Sequence, residues 1–218
     1  MTIRLLPSSI RWAHEFSDHA DVALFPQEQT DIANSEHDRH AGFATVRPLA
    51  RAAPDDLGQV SLPPGERGAP VWPTGVAGSM TRGAGYRAVA VTVAHASDVL
   101  TIGVDAEPDA PLPDGVLDTI ARPEEHVSLP STTGTAWDRT LFIAEESVDK
   151  AWCPPARTQL NADRATVSIA ADGTFTAHIL VPGPPTEIIG RWTTSNGLIA
   201  TAITVYRDNA APDDEECT

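Results

Sequence analysis

IGVDAEP, residues 102–108, is the stretch around which the chain is organised. As a β-strand it puts Leu100, Ile102 and Val104 on one face by period-two alternation, and Asp105 and Glu107 side by side on the other. Adjacent carboxylates repel unless a cation lies between them. Mg²⁺, which takes one or two carboxylates together with water and phosphate oxygens, suits that pair. Asp-x-Glu alone is more often the pattern of an exposed acidic strand end, so its meaning depends on what accompanies it.

Residues 141–152, LFIAEESVDKAW, accompany it. A helix over 139–152 gathers Leu141, Phe142, Ala144, Val148, Ala151 and Trp152 into an apolar stripe, with Asp138 placed to cap it and Cys153-Pro154-Pro155 to end it. Glu146 and Lys150, at i and i+4, lie along one edge of that stripe. A surface ion pair is the ordinary explanation of that spacing. Lys150, however, is the only lysine beside fourteen arginines. This bias, with abundant Ala, Gly and Pro, fits a high-GC genome in which Arg replaces Lys wherever charge alone matters.

Residues 72–86, WPTGVAGSMTRGAGY, combine small residues with Ser79, Thr81 and Arg82. They read either as a loop whose backbone N–H groups cradle an anion or as an ordinary glycine turn; the Gly-Lys-Ser/Thr of a Walker loop is absent. Upstream, a helix over 36–53 aligns Arg39, Phe43, Arg47 and Arg51 at intervals of four, with no carboxylate on the stripe. That stripe is either an anion site or a solvated face. Pro48 inside it should kink the helix at a cost of about 3 kcal/mol. Arg67 lies in a Pro/Gly-rich connector over 55–73.

The remaining pattern is mixed. A strand is expected over 3–10, running on to Trp12, and a helix over 26–33 with Pro26 in its first turn. Strands over 88–94 and 99–105 are expected to form an antiparallel pair joined by 95–98. A short helix over 117–121 precedes Glu124 and Glu125, read as an exposed helix entrance. Two hairpins follow: 166–169 with 175–181 around Asp172-Gly173, and 188–194 with 198–205 around Ser195-Asn196-Gly197. The acidic tail from residue 210 reads as disordered.

With 218 residues, 41% of them hydrophobic, the chain can bury a substantial core as one large domain or two halves. A formal charge of −15 argues against nucleic acid and anionic membrane as partners. No apolar run is long enough to span a bilayer, and the first residues lack the apolar region of a signal peptide. Cys153 and Cys217 are too far apart in sequence to suggest a disulfide framework, which points to a reducing cytoplasm. His37 and His40 have no third ligand nearby and read as a polar helix face rather than zinc ligands. Ser79 has no local His/Asp arrangement, so a serine hydrolase is not indicated. The five tryptophans read as core or interface residues.

Taken in order, WPTGVAGSMTRGAGY, IGVDAEP and LFIAEESVDKAW resemble the motifs W-P-x-G-x-x-G-S-x-T-H, G-[IV]-D-x-E and F-[ST]-A-K-E-[AS]-x-x-K-A-W of the Sfp/EntD-type 4′-phosphopantetheinyl transferases, particularly actinobacterial ones. FATVRPLAR, residues 43–51, is similar to the family's F-x-x-x-R-x-x-A-R helix. The resemblance implies a monomeric, pseudo-twofold, two-lobe α+β fold of antiparallel sheets with a long helix in each lobe. An N-terminal lobe over 1–101, a C-terminal lobe over 102–209 and a tail over 210–218 follow from it. It further implies Mg²⁺-dependent transfer of the phosphopantetheine arm from coenzyme A to a serine of an acyl or peptidyl carrier protein, in polyketide or non-ribosomal peptide biosynthesis. Asp105, Glu107 and Glu146 match the metal carboxylates, and Glu146 also the group that helps deprotonate the serine. Arg39, Arg47, Arg67, Ser79, Thr81, Arg82 and Lys150 match phosphate-contacting positions. The match has departures. Arg82 stands at the family's histidine, Glu145 at its lysine, and Asp149 at a usually aromatic or apolar position. Those exchanges leave open a second reading, a repurposed or inactive paralogue that acts on a biosynthetic intermediate or only binds a carrier protein.

Overall fold

The computed structural model describes residues 5–17, 24–32, 37–53, 57–65, 68–83, 85–93, 98–156, 160, 164–182 and 185–207, with backbone alone for 30–32 and 37–41. In chain order the elements are β1 (Arg11–Glu15), α1 (Pro26–Ile32), α2 (His37–Ala52), β2 (Val76–Gly83), β3 (Tyr86–Val93), β4 (Val99–Pro108), α3 (Val116–Ile120), α4 (Pro123–Ser128), α5 (Trp137–Ala156), β5 (Ala165–Ile169), β6 (Thr174–Ile179), β7 (Glu187–Ser195) and β8 (Leu198–Tyr206). The strands make two antiparallel sheets, ordered β1-β3-β2 and β4-β8-β7-β6-β5, so the fold is α+β as expected. Each sheet carries one long helix, α2 against β3 and α5 against β4 and β8. The boundary expected at 101/102 falls inside β4.

The expected stripe on α5 is its buried face. Leu141, Ala144, Val148, Ala151 and Trp152 pack with Val167, Phe175, Ile199 and Ile203 of the larger sheet. At about 1.5–3 kcal/mol per buried large apolar side chain, this is the main apolar contribution to that half. Both C-terminal hairpins form where turn residues predicted them. Asn196 and Gly197 have φ of 53° and 73°, the positive values a two-residue turn of this hand requires. Trp152 and Trp192 are buried, and Trp137 meets Trp192 edge-on with centroids 5.0 Å apart.

The two sheets meet edge to edge through side chains. β2 is the outer strand of its sheet and β4 the outer strand of the other. The exposed-edge N–H groups of β4 find acceptors across the seam: Val104 N–H donates to Ser79 Oγ at 3.1 Å and Ala106 N–H to Thr81 Oγ1 at 3.2 Å. Two hydroxyls thus do what a neighbouring strand's carbonyls would do, and both edges are covered.

Several expectations are corrected. The glycine-containing segment over 72–83 does not form a loop: residues 76–83 are strand β2, fully laddered to β3. Gly78 has a packing role there, since a Cβ on it would sit 2.4 Å from the Trp72 ring. The pair expected between 88–94 and 99–105 does not form, because β3 is buried along almost its whole length and both its neighbours, β1 and β2, are already in place; β4 pairs with β8 instead. Leu100 does not share the Ile102 and Val104 face. A register shift between Val99 and Thr101 turns it towards the α5 core, while Ile102 and Val104 pack with Ile10 and Ala90. The first strand lies at Arg11–Glu15, meeting the expected one only at its end near Trp12. Helix α2 continues through Pro48, and α5 continues through Pro154 and Pro155 to Ala156. The arginine stripe does have a carboxylate partner, supplied by Glu28 of α1, which lies 2.8 Å from Arg51 Nη1. The imidazoles of His37 and His40 and the tail from 208 lie outside the described residues.

Candidate active site

The seam opens into a cleft of about 680 Å³. Arg47 of α2 and Ser79 and Arg82 of β2 line one wall; Asp105 and Glu107 of β4 and Glu146, Asp149 and Lys150 of α5 line the other. Residues from four elements separated in sequence therefore converge on one cleft. Thr81 joins them through Asp105. The Arg39 side chain and Arg67 lie outside the described residues.

What brings α5 to β4 is a missing side chain. A Cβ on Gly103 would lie 1.9 Å from the Ser147 carbonyl oxygen, so the helix backbone rests directly on the strand. Ser147 Oγ lies 2.7 Å from Thr201 Oγ1 in β8, which also donates to the Ile143 carbonyl at 2.9 Å. This seating places Glu146 and Lys150 beside Asp105. Lys150 Nζ donates to Asp105 Oδ1 at 2.7 Å and to the Val104 carbonyl at 3.2 Å. Thr81 Oγ1 donates to the same Asp105 oxygen at 2.7 Å. The hydroxyl assigned by resemblance to phosphate contact thus holds a carboxylate in place.

The carboxylates are crowded. Burial raises Glu107 above the usual carboxylate range; Asp105 and Glu146 push it further, against the pull of Arg139 and Lys150. Burial likewise raises Glu146, with Lys150 opposing and Asp105 and Asp149 adding to the rise. Excess negative charge on oxygen donors at the edge of a cleft is the donor chemistry of a hard divalent cation, so the residues fit Mg²⁺ by type and charge. Among the described residues, no three His, Cys, Asp or Glu side chains already stand at metal-binding spacing.

Glu145 is not part of the cleft wall. It lines an adjoining cavity of about 300 Å³ with Ile120 of α3, Phe142 and the β5 residues Ala165 and Val167. Burial, helped by Glu125 and Glu146, pushes its carboxyl up to about 8, so it is mainly neutral at pH 7. The carboxylate that stands at the family's lysine position thus lies in the adjoining cavity and not on the cleft wall. Glu125 is not the exposed helix entrance expected of it. It is 3% exposed, accepting from Val167 N–H at 2.6 Å and Arg122 N–H at 2.7 Å. Glu124 is exposed.

A stability prediction follows from Glu145. Its ordinary value is 4.5 and its folded value about 8, so folding binds a proton between those limits and stability falls as pH rises through that window. Glu145→Gln removes the penalty. It should raise the melting temperature at pH 8.5 by several degrees and have a much smaller effect at pH 5. Thermal melts at the two pH values test it; an equal shift at both would contradict it.

Sequence reasoning missed Arg139, whose side chain reaches the Ala110 and Pro111 carbonyls and whose charge eases Glu107. Its position at the start of α5 offered no motif. It also missed Glu28, because partners 23 residues apart in different helices leave no local pattern.

The profile of the 4′-phosphopantetheinyl transferase N-terminal domain matches residues 27–92, which span α2, β2 and most of β3. The chain is 45% identical to the 4′-phosphopantetheinyl transferase Svp of Streptomyces mobaraensis, over 94% of this chain and 89% of that protein. It is 38% identical to PptT of Mycobacterium tuberculosis, over 91% of this chain and 95% of that one. It is 39% identical to Npt of Nocardia iowensis, over 91% and 97% respectively. Similarity of that extent over nearly whole chains, with the cleft residues brought together by the fold, assigns this protein to the 4′-phosphopantetheinyl transferase family.

Proposed function

We propose that this protein transfers the 4′-phosphopantetheine arm of coenzyme A to a serine hydroxyl of an acyl or peptidyl carrier protein, using Mg²⁺ held by Asp105, Glu107 and Glu146. The observation that carries the reading is the meeting of the β4 carboxylates with Glu146 and Lys150 in one cleft, opposite Arg47 and Arg82. Phosphoryl transfer demands charge neutralisation and positioning more than covalent chemistry, and this cleft offers both signs of charge at close quarters. Arg47, Arg82 and Lys150 would bind the phosphate groups of coenzyme A. Glu146 would take the serine proton on a carboxylate oxygen as the serine Oγ bonds to phosphorus and the bond to 3′,5′-ADP breaks. The bound metal supplies neutralisation of the diphosphate charge.

Arg82 keeps a cation at the family's histidine position, and a guanidinium is a bidentate phosphate donor. Glu145 lines the adjoining cavity rather than the cleft wall, so it does not face the phosphates directly. Both points favour the transferase over a repurposed paralogue. No helix among the described residues is long and apolar enough to cross a membrane. The long-range repulsion between a chain of charge −15 and an acidic carrier would require an apolar local contact.

Calorimetric titration with coenzyme A tests the reading. Binding should be measurable with Mg²⁺ and weaken about tenfold when Mg²⁺ is chelated or Glu107 is replaced by Gln. Absence of binding under every condition would overturn it.

A further inference from the structure

We propose that Glu28, on a helix remote from the motifs, is a positioning residue for Arg47, acting through the backbone of Leu62; the inference rests on the coenzyme A reading above. Glu28 is fully buried. Its Oε1 accepts from Arg51 Nη1 at 2.8 Å and from Leu62 N–H at 2.8 Å, and its Oε2 from Phe25 N–H at 3.0 Å. The carbonyl of Leu62 in turn accepts from Arg47 Nε at 2.6 Å. Residue 62 is thus held between a carboxylate on its N–H and a guanidinium on its C=O.

The Arg51 pair by itself explains how the carboxylate is tolerated, since a buried charge needs a partner. It does not explain the bond to Leu62. Residue 62 belongs to neither a helix nor a strand, so no ladder fixes it. Pro63 follows it, which restricts residue 62 to extended conformations and leaves translation of the segment as the freedom to be removed. Glu28 removes it.

The beneficiary is Arg47. With Nε held by Leu62, Nη1 against Met80 Sδ at 3.2 Å and the guanidinium 3.8 Å over the Phe43 ring, its orientation is fixed while it lines the cleft. A guanidinium set in advance loses less freedom on meeting an anion than one that must be ordered by it. The structure links α1, the 57–65 segment and α2 into one support for a single cationic group.

A double-mutant cycle tests this with calorimetric coenzyme A affinity in the presence of Mg²⁺, on protein confirmed folded by thermal melting. Glu28→Gln should weaken binding and raise the KM for coenzyme A by about tenfold, with kcat at saturation within about twofold of wild type. In the background of Arg47→Met, Glu28→Gln should add less than about twofold, because its effect passes through the missing arginine. A merely structural role would lower the melting temperature without that dependence. Should Glu28→Gln fail to fold, Glu28→Asp retains the charge beside Arg51 but shortens the reach to Leu62. It should show the same loss, smaller, and the same dependence on Arg47. Unchanged affinity, or equal losses with and without Arg47, overturns the relay. A wild-type protein that binds no coenzyme A defeats the reading beneath it, whereas wild-type binding with an indifferent Glu28 variant defeats the relay alone.

Discussion

Replacing Asp105 by Asn is expected to lower the rate of arm transfer by at least about a hundredfold, while the melting temperature should fall by only about 2–4 °C. The large effect arises because Asp105 sits at the centre of the charge arrangement. One of its oxygens accepts from both Thr81 Oγ1 and Lys150 Nζ, each at 2.7 Å, and its charge bears on Glu107 and Glu146. An amide of the same shape keeps an acceptor for Thr81 but gives up the charge. Lys150 is then drawn towards Glu146, and the site loses both a hard anionic donor and the balance that keeps its lysine in place. The small structural cost follows from exposure. The Lys150 side chain is 29% exposed, so water screens the charge left behind and the loss is about 1 kcal/mol rather than that of a deeply buried pair. Initial rates of conversion of apo carrier protein, taken beside thermal melts, separate the two effects. A variant that loses rate only in proportion to folded fraction would place Asp105 among structural residues.

Gly103→Ala is the counterpart, a change that removes the site by removing its foundation. The added methyl would meet the Ser147 carbonyl oxygen at 1.9 Å and Ala151 at 3.0 Å, both on α5. Backbone cannot swing aside as a flexible side chain can, so either α5 lifts from β4 or β4 bends. Lifting α5 breaks the Thr201 contacts to Ser147 and Ile143 and opens the apolar face around Val148 and Ala151. The expected loss is about 4 kcal/mol, or about 8–16 °C in melting temperature. Because Glu146 and Lys150 ride on that helix, the remaining folded protein should also transfer poorly. A melting temperature within a degree or two of wild type would show that the helix is not seated as described.

These two residues also show how much was legible in the sequence. Asp105 could be singled out only in company: alternation along a strand announces which side chains share a face, and the accompanying motifs gave the weak Asp-x-Glu pair its meaning. Glu146 and Lys150 could be found as neighbours on a helix for the same reason, a period matched to an element. Gly103 could not. Its importance lies in what lies opposite, and α5 begins more than thirty residues later in the chain. The glycines of 72–83 misled in the same way. Composition suggested a loop, whereas Gly78 makes room for Trp72 beside a regular strand. Local pairing misled as well: β3 and β4 are adjacent in sequence but belong to different sheets, since strand partners are chosen by which edges remain open. Hairpins closed by Asp172-Gly173 and Asn196-Gly197 were readable because the turn chemistry itself fixes the partner. The ion pair of Glu28 with Arg51 joins separate helices and was invisible for want of any periodicity linking them.

The most direct measurement is the intact mass of an apo acyl or peptidyl carrier protein after incubation with this protein, coenzyme A and Mg²⁺, with an established transferase as control. The predicted result is a gain of one phosphopantetheine arm on the carrier, far slower with Asp105→Asn and absent when the metal is chelated. No gain on any of several carriers that the control enzyme modifies, from protein shown to be folded, would contradict the account.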